Sequence, residues 1–186
     1  MRIVGGRHRG KRLAAPEDGA IRPTADRARE GLFNILQHGD WPLIDVHVLD
    51  VFAGSGAVGC EALSRGAAEV SFLEKAPGAA ELIRRNLKAI GREREGHILQ
   101  RDATRPGLPR RPAELCFLDA PYGTGLALLA LAALAEAGWL TESAAAVIEQ
   151  QRDEAFSPPD GWDLVDDRRY GIARFFLLRR AISPAP

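Results

Sequence analysis

Cysteine is scarce in this chain of 186 residues, and two copies are too few for a disulfide framework. Cys60 lies on an apolar helix face and Cys116 in an apolar strand, so both read as reduced core residues and not as a metal pair. The four histidines, His8, His38, His47 and His97, are scattered without metal-ligand spacing, and no metal is expected. The longest apolar stretch, Leu126 to Ala135, is too short to span a bilayer. No apolar segment follows the basic N-terminus, which excludes a signal peptide and places the chain in the cytoplasm. Charge of one sign is missing too: 25 basic side chains balance 25 acidic ones, so no global charge declares a nucleic-acid partner. Repeats and low-complexity tracts are absent. What is present is 46% hydrophobic residues, enough to core one ordinary domain.

The charge is uneven locally. Arg2, Arg7, Arg9, Lys11 and Arg12 fall within the first 15 residues, where no acid stands. Gly5, Gly6 and Gly10 interleave them, which suggests a flexible arm suited to phosphates; the plainer alternative is a solvated face. Arg2-Ile3-Val4 and Lys11-Arg12-Leu13 flank the glycines as a short hairpin. This divides the chain into a basic hairpin or arm over 1–21, a domain over 22–182 and a disordered tail over 183–186.

The domain alternates between strand and helix signals. Thr24 is placed to cap a helix over 25–37, and further helices are expected at 57–65, 77–90 and 124–137. Strands are expected at 46–51, 69–74, 96–100, 114–119 and 144–149. That alternation predicts an α/β fold, a doubly wound parallel sheet covered on both faces. Trp162 to Arg168 and Ala173 to Arg180, joined by Tyr170-Gly171, add an antiparallel pair at one edge.

The chain is organised around Asp50-Val51-Phe52-Ala53-Gly54-Ser55-Gly56-Ala57-Val58-Gly59. An apolar strand enters a small-residue turn and a helix leaves it, aiming backbone N–H groups and a helix N-terminus at whatever lies above. Gly54 and Gly56 would let a ligand approach the backbone, and Gly59 would let helix and strand pack closely. The spacing matches a dinucleotide fingerprint, with Glu74 as the ribose acid. Two details point away from NAD. Asp50 sets a carboxylate where it could meet an ammonium group, and Phe52 is too large for a turn that cradles pyrophosphate. An acid before the glycines and one after the second strand suit S-adenosylmethionine, with its amino-acid and ribose ends. Asp102 and Asp119 extend the series, so four successive strands each end in an acid at the edge where open sheets bind ligands.

Asp119-Ala120-Pro121-Tyr122 forms a second motif. Pro121 holds Ala120 extended, so its carbonyl can stand beside the Asp119 carboxylate. Two acceptors and an aromatic plate suit an exocyclic base amine, with the Tyr122 ring stacking on the base. A plain β-turn is the alternative.

The tetrapeptide is similar to the Asp/Asn-Pro-Pro-Tyr/Phe motif of amino-group methyltransferases, with Ala120 in place of the first proline. The wider chain resembles the RsmD family, which methylates guanine N2 in small-subunit (16S) ribosomal RNA. Arg2-Ile3-Val4-Gly5-Gly6, Arg22-Pro23-Thr24, Asp26-Arg27, Phe52-Ala53-Gly54-Ser55-Gly56 and Glu61 to Ala67 carry the likeness. It implies the seven-stranded class I methyltransferase sheet, order 3-2-1-4-5-7-6 with the last strand antiparallel. It implies an S-adenosylmethionine site built from Thr24, Asp50, Phe52, Ala53, Gly54, Ser55, Gly56, Glu74, Lys75, Asp102 and Ala103. Glu74 would take the ribose hydroxyls, Asp102 and Ala103 the adenine, and the segment from Arg22 to Glu30 would lie over the cofactor. Asp119, Ala120, Pro121 and Tyr122 would hold the target base, and Arg2, Arg7, Arg9, Lys11 and Arg12 the RNA backbone. The expected partner is ribosomal RNA within small-subunit particles, met by a monomer. The rivals are adenine-N6 methylation, an NAD(P) oxidoreductase, and an RNA-binding assembly module without turnover.

Overall fold

The computed structural model describes residues 1–15 and 23–181. Arg22, the tail at 183–186 and the side chain of Thr24 lie outside the described residues.

Four helices and seven strands follow in the order α1 Pro23–His38, β1 His47–Val51, α2 Ala57–Arg65, β2 Glu69–Leu73, α3 Pro77–Ile90, β3 Gly96–Leu99, β4 Ala113–Leu118, α4 Leu126–Glu136, β5 Leu140–Gln151, β6 Trp162–Tyr170 and β7 Ala173–Arg180. The strands form one sheet, ordered β3-β2-β1-β4-β5-β7-β6. Pairing is parallel from β3 through β5, and β7 runs antiparallel to both its neighbours. This is the order and sense expected of a class I methyltransferase sheet.

Alternate side chains of each strand feed opposite faces of the sheet. Val48, Phe72, Leu115, Phe117 and Val147 point to one face, where Leu32, Phe33, Cys60, Leu63, Ile83 and Leu87 from the first three helices cover them. Leu49, Val51, Leu73, Leu118 and Ile148 point to the other, against Ala130, Leu131 and Leu134 of α4. Burial on both faces explains why the parallel strands read as continuous apolar runs. Cys60 and Cys116 are buried and free, and burial pushes the Cys60 thiol up to about 12. Among the described residues, no helix is long and apolar enough to cross a membrane.

Three sequence expectations shift. The first helix begins at Pro23, so Thr24 sits inside its first turn and does not cap it. The fifth strand is longer than 144–149, because Leu140 pairs with Ala113 and Gln151 still pairs with Ala173. The N-terminal segment is not a flexible arm. It is a hairpin, bridged at Arg2 and Arg12, that buries Ile3 and Leu13 in the core. The fully buried Glu61 accepts the Val4 N–H at 2.9 Å and pairs with Arg65 at 2.8 Å. Ser64 receives the His8 N–H on its hydroxyl oxygen at 2.9 Å and donates that hydroxyl to Gly5 at 2.6 Å. At Gly6, with φ of +73°, a Cβ would run into the Ser64 carbonyl, so only glycine fits there.

Candidate active site

The strand register assembles the site. Leu73, Val51, Leu118 and Ile148 stand side by side on β2, β1, β4 and β5. The residues one step beyond them are Glu74, Phe52, Asp119 and Glu149, which brings three acids to one edge of the sheet. Asp50 lies two residues below Phe52 on β1. Neighbouring strands are only about 4.8 Å apart, so acids in adjacent positions feel each other.

Two adjoining cavities open at this edge. One, of about 460 Å³, is lined by Phe52, Glu74, Lys75, Asp102, Ala103, Asp119, Ala120, Pro121 and Tyr122, with Arg101 and Leu126. The other, of about 680 Å³, is lined by Asp50, Phe52, Ala53, Gly54, Ser55, Asp119 and Tyr122 from the predicted set. Phe52, Asp119 and Tyr122 stand on the boundary of both. Phe52 adopts a left-handed backbone with φ of 60°, a conformation that costs a large side chain energy and is held here by its surroundings.

Of the three glycines, Gly54 (φ +54°) faces the second cavity with only the Phe52 carbonyl within 4 Å of a would-be Cβ. Its N–H donates to Glu74 at 2.9 Å, and the other Glu74 oxygen caps Ala76 at 2.8 Å. A carboxylate offers about four lone pairs, so both oxygens keep capacity for a ligand. Gly56 is a correction. It is buried, and a Cβ there would point at Ile83 and Phe72 at 3.0 and 3.1 Å, so it shapes the turn from inside and does not face the cleft. Gly59 does bring α2 against β2, since its Cβ would strike the Phe72 ring.

Asp50, Glu74, Asp119 and Glu149 form no ion pair among the described residues. Burial raises the Asp50 pKa to about 7 against the opposing Gly59 N–H (2.8 Å), with Glu74 adding to the rise. Asp119 is exposed and presents its surface to both cavities. Burial pushes its pKa well up, and Glu149 and Asp50 push it further. Glu149 is raised by burial, opposed by the Tyr122 hydroxyl, which donates to it at 2.7 Å. Asp102 differs: the Thr104 hydroxyl and N–H bond one of its oxygens and hold its pKa down.

Among the described residues, the Ala120 carbonyl accepts no hydrogen bond, whereas the Pro121 carbonyl takes the Thr124 hydroxyl at 2.6 Å. The Asp119-Ala120-Pro121-Tyr122 segment thus keeps one carbonyl open beside the Asp119 carboxylate. The loop is pinned further by the Gly123 N–H on Glu154 at 2.8 Å.

A family model described as "Conserved hypothetical protein 95" matches residues 1–179. The chain belongs to that family. Two relatives bear the name Ribosomal RNA small subunit methyltransferase D. The one from Haemophilus influenzae is 34% identical, over 96% of this chain and 93% of its own. The one from Escherichia coli K12 is 32% identical, over 97% of this chain and 90% of its own. The solved structure of yhhF from Escherichia coli superposes with a TM-score of 0.83 at 31% identity, covering 98% of this chain and 99% of that one. Membership in the RsmD-type family, read from the motifs, therefore holds along the whole chain.

The family's cleft also contains residues that the sequence reading passed over. Glu149 is one, and the rule that found the other acids would have found it, since it stands at the same row of the next strand. Ala28 and Arg29, within the segment from Arg22 to Glu30 that was expected over the cofactor, line the larger cavity with Leu32. Met1 and the β6–β7 turn (Tyr170, Gly171, Ile172) complete its wall, and neither carries a local signal. Of the basic residues, Arg2 and Arg9 line one small pocket of the hairpin. Arg2 and Arg12 bridge at the open end of the hairpin near Met1 and the cleft, while Arg7 is held at Ser64, at the far end of α2. All five basic side chains are exposed.

Proposed function

We propose that this protein transfers a methyl group from S-adenosylmethionine to the exocyclic N2 amine of a guanine in small-subunit ribosomal RNA. The observation that carries the reading is a row of acids that form no ion pair among the described residues, standing beside an open carbonyl and an aromatic ring. Carboxylates whose pKa values are raised by burial and by one another suit a ligand that brings cationic and N–H donor groups. The residues present fit the cofactor: two joined cavities, a glycine whose missing Cβ opens one wall, and a carboxylate at the second strand end.

In this reading Gly54, with Ala53 and Ser55, lines the methionine end and Asp50 faces its ammonium group. Glu74 and Lys75 meet the ribose, and Asp102 and Ala103 the adenine. When bound, the cofactor supplies an electrophilic methyl group on a sulfonium. An exocyclic amine is a poor nucleophile because its lone pair is delocalised into the ring. Asp119 and the Ala120 carbonyl hold its two N–H hydrogens, which frees the lone pair and aims it, and Tyr122 stacks on a base turned out of its helix. The nitrogen becomes acidic as it is methylated, so no strong base is needed. Arg2 and Arg12 would take phosphates beside the cleft, and Lys11, Arg7 and Arg9 those farther along the hairpin.

Two relatives named as small-subunit ribosomal RNA methyltransferases support RNA over DNA as the substrate. The direct test is methyl transfer from labelled cofactor to naked ribosomal RNA, assembled small subunits and DNA in parallel, followed by nucleoside analysis. N2-methylguanosine in the RNA is expected. Label found only in N6-methyladenosine would replace this reading with its nearest rival.

A further inference from the structure

We propose that Glu149 reads the target base as guanine, its carboxylate accepting the ring N1–H while Asp119 and Ala120 hold the adjacent N2 amine. This rests on the function proposed above and adds the determinant of base identity, which the Asp119-Ala120-Pro121-Tyr122 motif does not supply.

The geometry is set by the sheet. Leu118 and Ile148 are register partners on β4 and β5, so Asp119 and Glu149 are the next residues on neighbouring parallel strands and project to the same face. Both line or adjoin the larger cavity with Tyr122 between them. The Tyr122 hydroxyl donates to Glu149 Oε1 at 2.7 Å, which turns the carboxylate toward the ring that stacks on the base. Among the described residues Oε2 of Glu149 has no partner, so it remains available to a ligand.

The chemistry then discriminates. Beside its exocyclic amine, guanine carries a protonated N1, so that side of its Watson–Crick edge offers donors only. Two neighbouring carboxylates that repel each other in the free cleft are both satisfied by such an edge. Adenine carries an unprotonated N1 beside its amine, and that lone pair would face the Glu149 oxygens. A buried polar mismatch of this kind is where large discrimination arises.

The test uses a substrate RNA that the wild-type enzyme methylates, prepared with guanine or with 2-aminopurine at the methylated position. 2-Aminopurine keeps the exocyclic amine but has an unprotonated N1. Wild-type kcat/KM should fall about ten- to a hundredfold on 2-aminopurine, the size expected for one specific base contact. Glu149→Gln should lose about as much on guanine while narrowing or reversing the preference, because its amide N–H can donate to N1. Cofactor affinity of the variant, measured by calorimetry, should match the wild type. A Glu149→Gln enzyme with the wild-type rate on guanine, or with both rates lowered and their ratio unchanged, would overturn the assignment and leave Glu149 as a support for Tyr122. If the wild type places no methyl on guanine N2 at all, the functional reading fails first and takes this one with it.

Discussion

Asp50 is the residue through which pH should reach the cleft. Its folded-state pKa of about 7 lies above the ordinary 3.8, so the folded protein binds this proton more tightly than the unfolded chain does. The contribution to stability is therefore fullest at low pH and declines as pH climbs from about 4 to 7. A cationic ligand reverses the preference by favouring the ionised form, so cofactor affinity should rise with pH through 7 while a proton is released. Calorimetry in buffers of different ionisation heat should find about one proton released at pH 6 and little at pH 8.5. In Asp50→Asn the release should vanish; its survival there would move the titration to Asp119 or Glu149. Glu74 is the second residue with a sharp expectation. Glu74→Ala should weaken S-adenosylmethionine by about 1.5–3 kcal/mol, roughly ten- to a hundredfold in Kd. Because Glu74 also holds the Gly54 N–H, Glu74→Gln should recover part of that loss by keeping the turn in place. Unchanged affinity in both would remove Glu74 from the ribose site. The convergence of Asp50, Glu74, Asp102 and Asp119 on adjoining cavities was legible because each stands in or after an apolar run. The role of Gly56 was not, since the spacing of glycines does not say which side of the turn faces inward.

The N-terminal hairpin was expected as a hairpin, but its anchorage in the core was not. Its glycines and bare positive charge describe a loose arm, yet Gly6 is required by the close Ser64 carbonyl and Ile3 and Leu13 are core residues. The decisive partner, Glu61, lies far along the chain on α2, and an acid buried in a helix gives no local sign of what it will bind. Fastening the hairpin on α2 holds Arg7 at Ser64, while Arg2 and Arg12 bridge at its open end. Each phosphate contact should contribute about 0.9 to the salt slope of RNA binding. Neutralising Arg2 and Arg12 should flatten that slope by nearly two units, and neutralising Arg7 and Arg9 should do the same where the RNA extends along the helix. Filter binding across a salt series, with cofactor affinity as the control, checks both pairs. A pair whose loss leaves the slope unchanged is a solvated face.

At the scale of the whole molecule, β–α alternation and a closing hairpin were enough to predict the sheet, because each strand's apolar run is dictated by burial on both faces. The length of β5 was harder. Its polar end, Glu149-Gln150-Gln151, is strand only because β7 pairs with it, and that is a long-range fact. Glu149, the last residue of the expected strand, supplies the acid opposite Asp119 but was not read as part of the site, so the row of acids was legible up to the fourth strand and blurred at the fifth. What the sheet accomplishes is convergence: residues from β1, β2, β4 and β5 meet at one edge, where in the proposed reading Asp119 and the Ala120 carbonyl hold the target amine. The most direct measurement of that claim is single-turnover methylation by Asp119→Ala, with cofactor binding measured on the same preparation. Most of the turnover should be lost while S-adenosylmethionine binds as before, and a variant that methylates guanine N2 at the wild-type rate would contradict the account.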